Sequence, residues 1–252
     1  MRLRRAYSLL LVVVLWEALG RSGWVEPVFL PPLTGVLASL FGLLQSGELL
    51  GHIRISMLRA FLGFAAAVAV GVPLGLLMGW SRPVERFFDP LISLIYPIPK
   101  VAFIPLLIIW LGIGDASKVG VIFLATVFPL LINTYAGVKG TDRYMIWSAL
   151  SMGATRRELL LRVVLPHTLP AIFTGLRISM ALAWALLFVA EMVGASRGLG
   201  FLILFSERML RTDAVFAGIL TIAAFGFTFD RLIRWIGGRV CLWHARTGIE
   251  AL

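Results

Sequence analysis

Long apolar runs make up most of the chain, and short charged or proline-rich stretches divide them. A basic cluster at residues 1–5, MRLRR, precedes an apolar run from Ala6 to Leu19. Glu17 interrupts the end of that run and no small-x-small cleavage site stands out, so a retained first span is expected rather than a removed leader. Pro27, Pro31 and Pro32 then prevent a continuous helix. Thr34 is expected to cap a short interfacial helix whose Val36, Leu37, Leu40, Phe41 and Leu44 share one face; a plain linker is the other reading of residues 22–52. Further spans are expected at roughly 57–80, 88–111, 119–137, 171–193 and 214–236, each long enough to cross about 30 Å of hydrocarbon. The pattern thus predicts an all-α integral membrane protein of about six transmembrane helices. Its regions are an N-terminal span with an outer loop and helix (1–56), a core (57–240) and a short tail (241–252). Between the spans, SRPVER (81–86) reads as a charged loop, Gly112–Lys118 as a polar turn and Gly194–Asp213 as an outer segment.

Two spans carry special patterns. Gly63, Ala67, Gly71, Gly75 and Gly79 recur every four residues, which makes one smooth helix stripe where another backbone can come close. That stripe serves packing within the subunit or contact with a second copy, and Pro73 adds a kink. The third span holds Pro90, Pro97, Pro99 and Pro105. Broken helix is tolerated in a membrane only where protein or a water-filled path covers it, and transporters place substrates at such breaks. Lys100 follows one break directly. It suits an anionic solute, or a structural pair with Glu191 or Asp89. Tyr96, Asn133, Trp184 and Glu191 complete the candidate pathway residues, with packing, interface anchoring or an ion pair with Arg197 as their other readings.

Composition agrees with the pattern. The chain of 252 residues is 60% hydrophobic and 14% charged, where soluble domains carry about a quarter charged residues. The net charge of +10 is spread between apolar runs with no aromatic-interleaved basic face, which argues against nucleic acid. The single Cys241 forms no thiol cluster, and His52, His167 and His244 lack ligand spacing, so no metal site is expected. No phosphate-binding Gly-x-x-x-x-Gly-Lys-Ser/Thr, His-Glu-x-x-His or Gly-x-Ser-x-Gly occurs, so no cofactor and no catalytic residue is expected in this chain. Six spans put both termini on one side. Placing that side in the cytoplasm puts fourteen Lys and Arg inside and seven outside, with Lys100 and Arg177 inside spans.

That orientation places WSALSMGATRRELLLRVVLPHTLP, Trp147 to Pro170, in the cytoplasm. Its arginines exclude it from hydrocarbon, yet its leucines and valines make it apolar, as in a short amphipathic docking helix. Gly153 opens that helix and Pro166 closes it, so that it pivots as one body. Arg156 and Arg157 would meet acidic or carbonyl groups on a partner; anionic lipid headgroups are the alternative.

Ala149, then Gly153-Ala154, then a helix ending Leu165-Pro166 resembles the EAA loop of ABC-importer membrane subunits. Trp147 and Ser148 stand where that motif has Glu and its first Ala. PIPKVAFIPLLIIWLGIGDASKV, FPLLINTYAGVKG and AEMVGASRGLG resemble the nitrate/sulfonate/taurine branch of these permeases, and the likeness covers roughly residues 30 to 246. The resemblance implies a type I importer-like fold in the bacterial inner membrane, with a coupling loop at 140–170. It implies coupling residues Ala149, Gly153, Ala154, Thr155, Arg156, Arg157, Leu160 and Pro166. It also implies a second copy, a cytoplasmic ATPase dimer holding ATP and Mg, and an external solute-binding protein. The cargo is then a small, anionic solute, or in related permeases a pyrimidine vitamin precursor or aromatic acid. A secondary transporter or channel without an ATPase is the reading from another class.

Overall fold

A computed structural model describes residues 2–242; the rest of the expected tail, with His244 and Arg246, lies outside them. The elements are α1 (Arg2–Arg21), α2 (Leu33–Gln45), α3 (Glu48–Trp80), α4 (Arg82–Ile95), a 3-10 turn (Lys100–Phe103), α5 (Ile104–Leu111) and α6 (Asp115–Lys139). There follow α7 (Arg143–Ser151), α8 (Arg156–Leu159), a π-turn (Leu160–Val164), α9 (Leu165–Met192), α10 (Leu199–Arg208) and α11 (Thr212–Val240). No strand occurs among the described residues.

Among the described residues, four helices are long and apolar enough to span a membrane: Glu48–Trp80, Asp115–Lys139, Arg156–Met192 and Thr212–Val240. A fifth is added if α4 and the Lys100–Leu111 segment, bent by 89°, count as one broken span. This gives four or five spans among the described residues beside the apolar helix α1, in keeping with the all-helical membrane fold expected. Three expected connections are also helical. SRPVER is the first turn of α4, with Pro83 where a helix tolerates proline. Gly112–Lys118 ends inside α6, whose first residue is Asp115. Gly194–Asp213 contains α10.

The chain divides into two compact units, Met1–Leu58 with Phe188–Phe225, and Arg59–Leu187 with Gly226–Leu252. In the first, Glu17 on α1 takes the Thr34 backbone N–H (3.0 Å) and hydroxyl (2.9 Å), and Arg21 donates to both Glu17 and Thr34. Thr34 is thus not the helix cap that its side chain suggests; Pro32 holds that position and the hydroxyl serves α1 instead. Trp16 donates to the Pro31 carbonyl at 3.0 Å.

In the second unit α6 is the axis. The small-residue stripe of α3 lies on it: a Cβ on Gly63 would meet Ile122 at 2.6 Å and one on Gly75 would meet the Leu131 carbonyl at 2.6 Å. Gly71 and Gly79 meet Val127 and Val138 in the same way, and Ala67 is buried with Val127 and Leu130. The stripe packs inside the subunit, because each glycine removes the side chain that would hold the backbones apart. On its other flank α6 meets α9: Gly137 lies against Thr168 and Ala171, Gly175 against Asn133 and Pro129, and Ser179 donates to the Thr126 carbonyl at 2.9 Å. At the start of α6, buried Arg59 donates to Asp115 at 2.8 and 2.6 Å. Lys118, 1% exposed, donates to the Ile113 carbonyl.

Candidate functional site

The stretch from Thr141 to Val164 forms a rigid corner. Asp142 caps α7 by accepting the Tyr144 N–H at 2.8 Å. The helix ends at Gly153, whose φ of +81° is a left-handed conformation open to glycine. The Gly153 N–H donates to the Leu150 carbonyl and the Ala154 N–H to that of Ala149, the paired bonds that close a helix C-terminus. Directly after it, Thr155 and Glu158 form a reciprocal capping box that starts α8. One helix is closed and the next opened within three residues, so the angle between them is fixed by hydrogen bonds. Ala149, Leu159 and Val164 are buried with Val138, and Leu76, Trp80, Ala154 and Leu160 pack around them, which fastens the corner to the ends of α3 and α6.

The expected pivot between Gly153 and Pro166 is not found. Pro166 does not end the helix; the chain runs from α8 through a π-turn into α9 as one long helix. The Leu165 N–H bonds to the Leu160 carbonyl, five residues back. This wider turn removes the clash that a proline ring makes with the preceding helical turn. The corner is therefore a rigid extension of α9. The face it presents also differs from expectation. The apolar residues exposed are mainly on α7: Tyr144, Met145, Trp147, Leu150 and Met152, the last at 81% exposure. Tyr144 and Trp147 meet edge to face at 5.7 Å. Arg156 and Arg157 are exposed beside them on α8. The sequence reading missed Tyr144, Met145 and Met152, although aromatic and methionine residues in a polar loop are a legible signal of contact.

The corner is tied further. Glu85 on α4 accepts from the Tyr135 hydroxyl at 2.5 Å and from Lys139 at 2.6 Å, both on the last turns of α6. His167 meets the Gly140 carbonyl at 3.1 Å.

At the bend between α4 and α5, Lys100 donates to the carbonyls of Ile95, Tyr96 and Ile98 at 3.0, 2.9 and 2.8 Å. These carbonyls lie at and just beyond the end of α4, and that of Ile95 also accepts the Ile98 N–H at 3.2 Å. The ammonium also sits 4.9 Å from the Phe128 ring and 5.7 Å from the Tyr96 ring. Neither Glu191 nor Asp89 is its partner. Tyr96 is half exposed beside it. Asn133 folds back on its own helix, donating to the Pro129 carbonyl at 2.8 Å. Trp184 is buried and stacked on Phe229 at 5.9 Å. Of the pathway candidates, the structure brings Tyr96 and Lys100 together.

Glu191 belongs to the other unit and is 1% exposed. Its carboxylate takes the Ser56 hydroxyl at 2.8 and 2.9 Å and the Gly200 N–H at 2.9 Å. Ser56 accepts the Leu199 N–H, and His52 accepts that of Gly198. A side chain on Gly198 or Gly200 would overlap Glu191, so the two glycines are what admit the carboxylate to the turn. This is a buried anchor for the α9–α10 connection. No cluster able to hold a metal occurs among the described residues.

Comparisons agree with this anatomy. The family described as "Binding-protein-dependent transport system inner membrane component" matches residues 71–241. A putative ABC transporter permease of Methanocaldococcus jannaschii is 40% identical over 93% of this chain and 89% of its own length. The taurine transport permease TauC of Escherichia coli is 38% identical over 94% of this chain and 88% of its own. The putative aliphatic sulfonates transport permease SsuC of Bacillus subtilis is 34% identical over 92% and 84%. Among solved structures, a chain of the inward-facing MetNI methionine ABC transporter aligns with TM-score 0.61 and 18% identity, over 77% of this chain and 94% of that one. An amino acid ABC transporter crystallised with histidines aligns with TM-score 0.61 and 16% identity, over 80% and 97%. At that identity the two show the fold.

Proposed function

Because the chain belongs to the binding-protein-dependent transport system inner membrane component family, we propose that it is the membrane-spanning permease of an ATP-driven importer for a small anionic solute such as a sulfonate. ATP hydrolysis belongs to a separate ATPase dimer, and an external binding protein delivers the solute. Two copies of this chain enclose the path, since four or five spans are too few to surround a polar route alone.

The observation that carries this reading is the rigid corner at α7–α8. It offers exposed Tyr144, Met145, Trp147 and Met152 to a groove on a partner, with Arg156 and Arg157 as charged contacts at its edge. Its continuity with α9 makes it a lever: displacement of the corner turns α9 as one body, and α6 follows through the close contacts at Gly137 and Gly175. Such rigid-body switching is what alternating access requires. The corner and both termini lie in the cytoplasm. The charge bias supports this orientation, and more so because Arg59 and Lys118, two of the seven outer cations, are buried against Asp115 and a carbonyl instead of facing water.

The test is Gly153→Pro. Proline fixes φ near −65° and lacks the N–H that binds Leu150, so it cannot occupy a position at φ +81°. The variant should insert normally, lose the co-purifying ATPase and lose ATP-dependent uptake. Retention of both would refute the lever.

A further inference from the structure

A cleft beside the start of α4 is used by neither the lever nor the bend. It holds about 570 Å³ and is lined by Arg82, Glu85, Arg86, Asp89 and Pro90 of α4 and by Lys139 at the end of α6. That volume is in the range of small-ligand sites. The charge bias that orients the chain puts residues 81–86 and Lys139 at the inner membrane surface. The bonds from Tyr135 and Lys139 to Glu85 hold the first turns of α4 at that level.

The charges in the cleft do not balance. Glu85 answers Lys139 at 2.6 Å. Arg82 and Arg86 are exposed, and their side chains make no hydrogen bond or ion pair among the described residues. Asp89, one turn along from Glu85, holds neither of them. Three cations and two carboxylates leave one net positive charge. Like charges four apart on a helix repel, and Arg82 also stands at the positive end of the α4 macrodipole. Both penalties fall away when an anion lies between the two guanidiniums, whose N–H forks match a phosphate.

The cleft also has an apolar exit, for which a free anion has no use. Pro90 on its wall belongs to a stripe with Phe87 and Leu94, at i, i+3 and i+7 along α4. Phe87 and Leu94 are 66% and 72% exposed, and no residue of α4 is buried. A phosphate-sized cationic end that adjoins an apolar track fits an amphiphile, and the inner leaflet supplies anionic ones. We propose that this cleft binds an anionic phospholipid of the inner leaflet, with its phosphate between Arg82 and Arg86 and an acyl chain along Phe87, Pro90 and Leu94. The site takes from the importer reading only the inward orientation of these residues.

The test uses full-length protein in phosphatidylcholine bilayers, with Cys241→Ser as background. Leu91→Cys carries a fluorophore on α4, next to the stripe and outside it. Brominated phosphatidylglycerol and brominated phosphatidylcholine are added separately at the same low mole fraction, and the ratio of their quenching is read. The ratio should favour phosphatidylglycerol about fivefold. Arg82→Gln with Arg86→Gln should bring it close to one, and lysine at both positions should keep most of it. Asp89→Asn should raise it, a gain that misfolding cannot produce. Equal quenching by the two lipids, quenching by neither, or a preference that the double glutamine variant leaves unmoved would overturn the proposal. So would loss of the preference in excess inorganic phosphate at matched ionic strength, which would give the cleft to a soluble anion. The assay holds no ATPase and no solute, so a protein without ATP-dependent uptake would sink the importer reading and leave this site standing.

Discussion

Lys100 and Arg177 are both cations set within apolar helices of the same unit, and both are held by oxygen atoms. The oxygens differ. Three backbone carbonyls of its own bend take all three ammonium hydrogens of Lys100. Arg177 shares one carboxylate with a second arginine and keeps donors and charge in excess. The first is a staple: it ties together three carbonyls of the bend around Pro97 and Pro99, so its charge serves local structure. The second is a partly exposed ion pair with Asp230 between two helices, and it ties up no backbone group. A charged residue inside a span is thus a functional candidate only after its existing partners have been counted.

The largest effect that separates the two should come from Lys100→Met. It takes the ammonium from the Tyr96 and Ile98 carbonyls, while that of Ile95 keeps the Ile98 N–H, and should lower stability by roughly 2–3 kcal/mol, read as thermal unfolding in detergent. Lost uptake at unchanged stability would make Lys100 a pathway residue and break the comparison. Asp230→Asn is milder. The pair it removes is partly exposed, so stability should change by about 1 kcal/mol or less, read by the same unfolding measurement. Asn133→Ala should do least. Its side chain bonds to the Pro129 carbonyl of its own helix, so about 1 kcal/mol or less is at stake and uptake kinetics should stay unchanged. A shifted KM for the solute would return Asn133 to the path.

Much of this anatomy was legible before the structure. The spacing of Gly63, Gly71, Gly75 and Gly79 announced a close helix contact, and the prolines from 90 to 105 announced a broken span. Gly153 announced a break in the loop's helix, and its φ of +81° is the form that break takes. In each case a local steric property of one residue type decides the outcome. The readings that changed depend on what surrounds a residue. Pro166 passes through a helix because a π-turn widens ahead of it. Thr34 does not cap because Glu17, far away in sequence, takes its hydroxyl. Glu191, a candidate pathway acid or a partner for Arg197 in the sequence, sits in a buried turn, because Gly198 and Gly200 make room for it.

Sequence alone determined that this chain belongs to a membrane and where its helices break and approach, because hydropathy, proline geometry and the missing glycine side chain act locally. Tertiary structure alone decided which partners the few buried or in-span charges have. It bound Lys100 to its own backbone, Glu191 to a turn and Arg177 to a carboxylate on another helix. The reason is that a charge removed from bulk water takes whatever oppositely polarised atoms the packing brings within 3 Å or so, and distance along the chain does not disclose those atoms.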